Sequence, residues 1–238
     1  MRPVGELWVY LAANPLLHLT LTLLAYLIGY RIYRRFGMNP LLNPVVIAIV
    51  ILVSLLVATG TSYERFFEGA QFVHFLLGPA TVALAIPLYN QFDRVRKSAG
   101  PLLAAVVLGS LSASLSAVGI AALLGAGPEI VASIAPKSVT TPIAMGIAEQ
   151  LGGLPSLTAV LVILTGVVGA MLGPPLLNLL RVRDWRARGL AIGVAAHGIG
   201  TARAMQVNEV AGAFSGLAMG LNALATAILL PLIWSWLF

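Results

Sequence analysis

Apolar stretches of membrane-crossing length alternate with short basic loops along this chain, and polar segments break its later half twice. Runs at about 16–30, 44–59, 70–89, 101–124, 157–180 and 214–238 read as six spans, the second of them short. Basic clusters follow the first, third and fifth: Arg31, Arg34 and Arg35; Arg94, Arg96 and Lys97; Arg181, Arg183, Arg186 and Arg188. Clusters of this kind mark cytoplasmic loops, so the N-terminus is expected outside. The second run leads outside into the more acidic Tyr63-Glu64-Arg65-Phe66-Phe67-Glu68. Gly78-Pro79 and Pro87 predict that the third is kinked or discontinuous. Small residues in the fourth (Gly109, Ser110, Ser112, Ala113, Ser114, Ser116) suit close helix–helix contact. Trp234 and Trp236 place the end of the sixth at an interface.

The two breaks are Pro136-Lys137-Ser138-Val139-Thr140-Thr141-Pro142 and His197-Gly198-Ile199-Gly200-Thr201-Ala202-Arg203. Such backbone is costly at membrane depth, because lipid cannot satisfy freed amides and carbonyls. Parity places the first. The fourth run ends outside at Gly125-Ala126-Gly127-Pro128-Glu129, and the fifth must begin outside, since it ends in the third basic cluster. Residues 129–153 therefore enter and leave by one face, as a re-entrant hairpin with its tip at 137–141. The same logic makes residues 185–210 a second hairpin or broken helix, entering from inside with its tip at 198–201.

A shift of 60 residues sets 136–154 on 196–214 and superimposes Thr141 on Thr201, Ala144 on Ala204, Met145 on Met205, Glu149 on Glu209 and Gly152 on Gly212. Met and Glu are scarce here, so their coincidence weighs more than that of apolar residues. With one copy entering from each side, the pattern is an inverted repeat of hairpin plus span, as in many secondary transporters.

The composition fits. Of 238 residues, 59% are hydrophobic and 9% charged, against about 25% charged in a soluble domain. The fold class is all-α, a polytopic helical membrane protein with about six spanning helices and two hairpins. Residues 1–238 read as one integral membrane domain, with 1–125 mainly scaffold and 126–238 the hairpin-containing, substrate-binding half. Of the 14 basic residues ten lie in the three clusters, so the net charge of +6 gives no reason to expect nucleic acid. Cysteine is absent, which excludes disulfides and thiolate metal sites. Arg2 followed by Glu6 is a poor signal-peptide start, and the first run reads as a retained helix.

Each tip opens a new helix, near Thr141 and near Thr201, whose first amides lack intrahelical partners and carry partial positive charge. Thr140, Thr141, Thr201 and Ser138 add hydroxyls, and Gly198 and Gly200 let a ligand approach the backbone. Lys137 and Arg203 add full charges, and a guanidinium can hold a carboxylate bidentately. Arg203 could instead pair with Glu149 or Glu209, and Lys137 could lie at the surface. His197 is a site residue or proton carrier, or else a histidine bonded to backbone. Glu149 and Glu209, eight residues past the threonines, lie about 12 Å along their helices. They read as solvated ends, with proton or cation coupling the alternative. Gly78-Pro79-Ala80-Thr81 is either a third break reaching the cavity through Pro79 and Thr81, or a packing kink. Asn208 and Asn222 are expected to bridge helices. No metal site or other cofactor is expected.

The chain resembles the LrgB/CidB family of bacterial membrane proteins, related to the plastid glycolate/glycerate translocator. Three segments carry the resemblance: Leu76-Leu77-Gly78-Pro79-Ala80-Thr81-Val82-Ala83-Leu84-Ala85-Ile86-Pro87-Leu88-Tyr89, Pro136 to Ala144, and Ala196 to Ala204. It implies a protein of the bacterial cytoplasmic membrane, often paired with a small LrgA/CidA-type partner. It also implies one of two roles: modulating murein hydrolase export and autolysis in an antiholin-like way, or carrying small monocarboxylates such as glycolate, glycerate or pyruvate. The hairpins favour the carrier, and a homodimer would suit one. An enzyme is not expected, since the chain has no H-E-x-x-H and no G-x-S-x-G.

Overall fold

The computed structural model describes residues 15–39, 42–76, 79, 82, 89 and 92–237, almost all of them helical. Two compact units emerge, Met1–Ala83 and Leu84–Phe238.

In the first unit α1 (Pro15–Arg35) packs against α2 (Pro44–Thr59) and α3 (Tyr63–Phe75). Asn43 starts α2 by accepting the Val45 amide at 2.9 Å, and Gly60 ends it in the left-handed region at φ 62°. Close approach requires a glycine on α1, since a Cβ at Gly29 would stand 2.6 Å from the Pro44 carbonyl oxygen. His18 is buried edge-on to Phe66, with ring centroids 5.7 Å apart. The polar stretch into which the second run exits is the start of α3, where the Arg65 amide donates to the Ser62 hydroxyl. Much of the third expected span, Thr81 included, lies outside the described residues; Pro79 is helical and exposed.

The second unit contains α4 (Phe92–Lys97), α5 (Ala99–Leu123), α6 (Pro128–Ile134), α7 (Thr141–Gln150), α8 (Pro155–Leu179), α9 (Trp185–Val207) and α10 (Glu209–Leu237). Proline in the first turn of α6, α7 and α8 fits a position whose amide has no helical partner anyway. Asp184 caps α9 by accepting the Arg186 amide at 2.8 Å, and Asn208 caps α10 by accepting the Ala211 amide. Asn208 was expected to bridge helices; its place in the two-helix junction makes it a cap instead.

Among the described residues four helices have the length and hydropathy to cross a membrane: Leu16–Arg35, Ala99–Leu123, Pro155–Leu179 and Glu209–Trp236. On α8 the division of faces is clear. Thr158, Val162, Gly166 and Ala170 are buried, while Val160, Leu164, Val168, Leu172 and Leu176 are exposed. A long helix with one apolar face inward and another outward has lipid as its second solvent. The chain is a polytopic, all-helical membrane protein.

Both breaks fold back. Ile192 and Ala204 share a core cluster, although a straight helix would hold residues twelve apart about 18 Å from each other. The reversal lies at Ala196 (φ −127°, ψ 16°) and His197 (φ 38°, ψ −136°). Gly200 makes it possible, because a Cβ there would meet the Ala196 Cβ at 2.5 Å. In the first hairpin Val131 of α6 and Ile147 of α7 share a cluster. The chain after α7 then returns to α6, where the Leu154 amide donates to the Ser133 hydroxyl at 2.8 Å. Thr158, one turn into α8, donates to the Ser133 carbonyl at 3.0 Å.

Candidate functional site

The two hairpins reach α8 from opposite ends. The first is tied to its beginning through Ser133, Leu154 and Thr158. The first half of α9 runs back along α8 from the far end, guided by glycines. A Cβ at Gly173 would stand 2.4 Å from Ile192 Cδ1, one at Gly169 2.5 Å from Ala196 Cβ, and one at Gly166 2.6 Å from the His197 ring. This stripe lets the second tip travel close to the α8 backbone.

The tips converge at Val162. Its side chain packs in one cluster with Val139 of the first tip, and its carbonyl accepts the His197 Nε2–H of the second at 2.8 Å. Asn222 of α10 joins them again. Its Nδ2 donates to the Ser138 carbonyl of the first tip and to the Val194 carbonyl just before the second, at 3.2 Å each. The two carbonyl oxygens are therefore no further apart than twice that distance. Val162 and Asn222 are themselves related by the shift of 60, so equivalent positions on the two spans each grip the tip of the other repeat.

Not all the expected site residues stand at this junction. Lys137 is half-buried, donates from Nζ to the Ser138 hydroxyl at 3.2 Å and lies within electrostatic reach of His197. No acid pairs with it among the described residues, where the ion pair observed is Asp184 with Arg186. Thr140 and Thr141 are half-buried at the start of α7, which no side chain caps. Gly198 is open, with only Met219 Sδ near a would-be Cβ, at 3.9 Å. Gly200, by contrast, is filled by the hairpin's own packing.

The second helix starts at Gly198, not at Thr201, because His197 takes the break. Thr201 thus sits a turn inside, 1% exposed. Its hydroxyl donates to the His197 carbonyl at 2.8 Å and pairs with Ser215 at 2.9 Å. Arg203, two residues on, faces elsewhere. It lines a cavity of about 50 Å³ with Arg188, Trp185, Pro174, Leu177 and Ile192, a volume of a few water molecules. Arg188 in that wall donates to Asn178 Oδ1 and the Val182 carbonyl and stacks on Trp185. Arg203 thus belongs to the Arg188 end and not to the tips. Glu149 and Glu209 are both exposed, near the end of α7 and at the start of α10. Among the described residues no group of His, Asp or Glu is arranged to hold a metal ion.

One stripe was read in the sequence at Asn222 alone, as a helix-bridging amide, which it is: Ser215, Met219, Asn222 and Thr226 on α10, all buried. Ser215 and Met219 meet Thr201, Asn222 meets both tips, and Thr226 pairs with Ser110 of α5 at 2.8 Å. Their spacing of four, three and four was legible as one helix face.

Comparison with known proteins agrees with this architecture. The LrgB-like family matches residues 22–236. The uncharacterized protein YxaC of Bacillus subtilis is 39% identical over 92% of this chain and 94% of its own length. YwbG of the same organism is 38% identical over 92% and 97%. The antiholin-like protein LrgB of Bacillus cereus is 31% identical over 72% and 74%. No solved structure matches. With a family match across nearly all its length and relatives above 30% identity, this chain belongs to the LrgB family.

Proposed function

We propose that the chain is a secondary carrier of small monocarboxylates, with its binding site where the two hairpin tips meet. The observation that carries this reading is the convergence of opposed breaks on Val162 and Asn222, beside a lysine that no described acid neutralises. A half-buried cation beside the uncapped start of α7 favours an anion. Lys137 and the first amides of α7 would hold the carboxylate, with Thr140 and Thr141 adding hydroxyls. Gly198 leaves the opposite wall open to the rest of the molecule. Arg203 and Arg188 would receive the anion at the basic end, which the positive-inside rule makes cytoplasmic. Rocking of the hairpin bundle would then open the junction to each side in turn.

Reconstitution tests this. Proteoliposomes should accumulate labelled glycolate, glycerate or pyruvate saturably, with and without proton or sodium gradients. Lys137→Met and Thr141→Val should each reduce uptake at least tenfold. Unchanged transport in both would place the site elsewhere.

A second reading is favoured by the relatives' names: an antiholin-like membrane protein that modulates murein hydrolase export and autolysis, with an LrgA/CidA-type partner. Non-selective leakage of a trapped dye from the same liposomes, insensitive to Lys137→Met, would support it over the carrier.

A further inference from the structure

Most polar side chains around the junction are matched within the protein. Thr201 has His197 and Ser215, Ser138 has Lys137, Thr226 has Ser110, and His197 has Val162. Asn222 is matched on one side only. Its Nδ2 donates to two carbonyls, while Oδ1, equally buried, has no donor. A side chain 1% exposed with a bare amide oxygen is costly. The costly atom sits at the convergence of two helix breaks.

We infer that Asn222 Oδ1 accepts the 2-hydroxyl hydrogen of the carried acid and so makes the site selective for 2-hydroxy over 2-oxo monocarboxylates. This deepens the carrier reading and rests on it. Donors at the junction, Lys137 Nζ and the start of α7, suit the carboxylate end of the ligand. What Oδ1 needs is a donor, and a carboxylate at neutral pH has none. A 2-hydroxy acid supplies one on the adjacent carbon; a 2-oxo acid offers only another acceptor. Rotation of the amide does not help the oxo acid. Turning the NH2 group toward the ligand would break both bonds that hold the tips and aim the oxygen at two carbonyls.

The test is competition against labelled glycolate uptake in proteoliposomes, with lactate against pyruvate and unlabelled glycolate against fluoroacetate. Fluoroacetate keeps the size of glycolate and loses only the hydrogen. In the unmodified protein each hydroxy acid should compete about tenfold better than its partner or more, the size expected when a buried acceptor is left unmatched. Asn222→Leu should bring both ratios to within about twofold. Equal competition in the unmodified protein overturns the inference, and so do ratios that persist in Asn222→Leu, because a purely structural asparagine would weaken all four acids together. Equal competition in the unmodified protein overturns the inference even if the variant fails to fold. Absence of glycolate uptake by the unmodified protein is a different result: it removes the carrier reading itself.

Discussion

Gly193→Ala should destabilise the protein, and the structure fixes both the sign and the size. Gly189 and Gly193 lie one turn apart on the first half of α9 and touch the backbone of α10. A Cβ at Gly193 would stand 2.2 Å from the Ser215 carbonyl oxygen, and one at Gly189 2.2 Å from that of Ala211. Neither obstacle is the end of a flexible side chain, so α9 and α10 must part by about 1 Å. Overpacking of this kind costs roughly 1–3 kcal/mol. At this chain length 1 kcal/mol corresponds to about 2–4 °C in Tm, so a fall of about 2–12 °C is expected. Gly220→Ala is the control. Gly220 is on the exposed face of α10 with nothing within 4 Å of a would-be Cβ, and alanine there gains up to about 1 kcal/mol of helix propensity. Its Tm should hold or rise. Circular dichroism melts in detergent read both variants. A Gly193→Ala protein that melts at or above the parent refutes the proposed backbone contact between α9 and α10.

Two further outcomes follow from particular bonds. Thr201→Val keeps the volume but strands the buried Ser215 hydroxyl, so it should cost about 1–3 kcal/mol; adding Ser215→Ala should restore part of the loss, and a strictly additive double variant would disprove the pairing. Asp184 lies in the loop before α9, where the Arg186 guanidinium, then its amide, holds the carboxyl below the usual carboxylate range. A lowered folded-state pKa means stability that is present above the usual range and lost as pH falls through the lowered value. Asp184→Ala should therefore cost about 1 kcal/mol at neutral pH as a lost cap, with the gap in Tm from the parent closing in acid; a constant gap would argue against the capping carboxylate.

Spans were legible because lipid imposes a coarse rule: long apolar runs, bounded by charge. The runs at 101–124 and 157–180 became Ala99–Leu123 and Pro155–Leu179. Hairpins were legible through parity alone, because basic clusters pin two ends and the number of crossings must agree. At residues 63–68 acidic charge marked an exit from the span, and the Ser62 hydroxyl and aromatic contacts among Tyr63, Phe66 and Phe67 support a helix there. Charge marks where a segment meets water and says little about whether its backbone is helical.

The junction was harder to read, and the difficulty lies in what a break costs. Glycine is the usual sign of strained backbone, so Gly198 and Gly200 drew attention to the second tip. The strained residue is His197, at φ 38°, a conformation worth roughly 1–3 kcal/mol that persists only when its surroundings over-determine it. Those surroundings are the bond from its ring to Val162 and Gly166 of α8, which admits the ring, neither of them near it in sequence. A two-residue break with its compensation on another helix leaves little local trace, and this moved the helix start from Thr201 back to Gly198. Asn222 was legible only as a helix-bridging amide. The shift of 60 that sets it on Val162 pairs an amide with a valine, so similarity of residues could not expose the relation. What the repeats share there is a position from which each span holds the opposite tip. Two tips held by reciprocal bonds can be released only together, and alternating access through this junction would demand such joint movement.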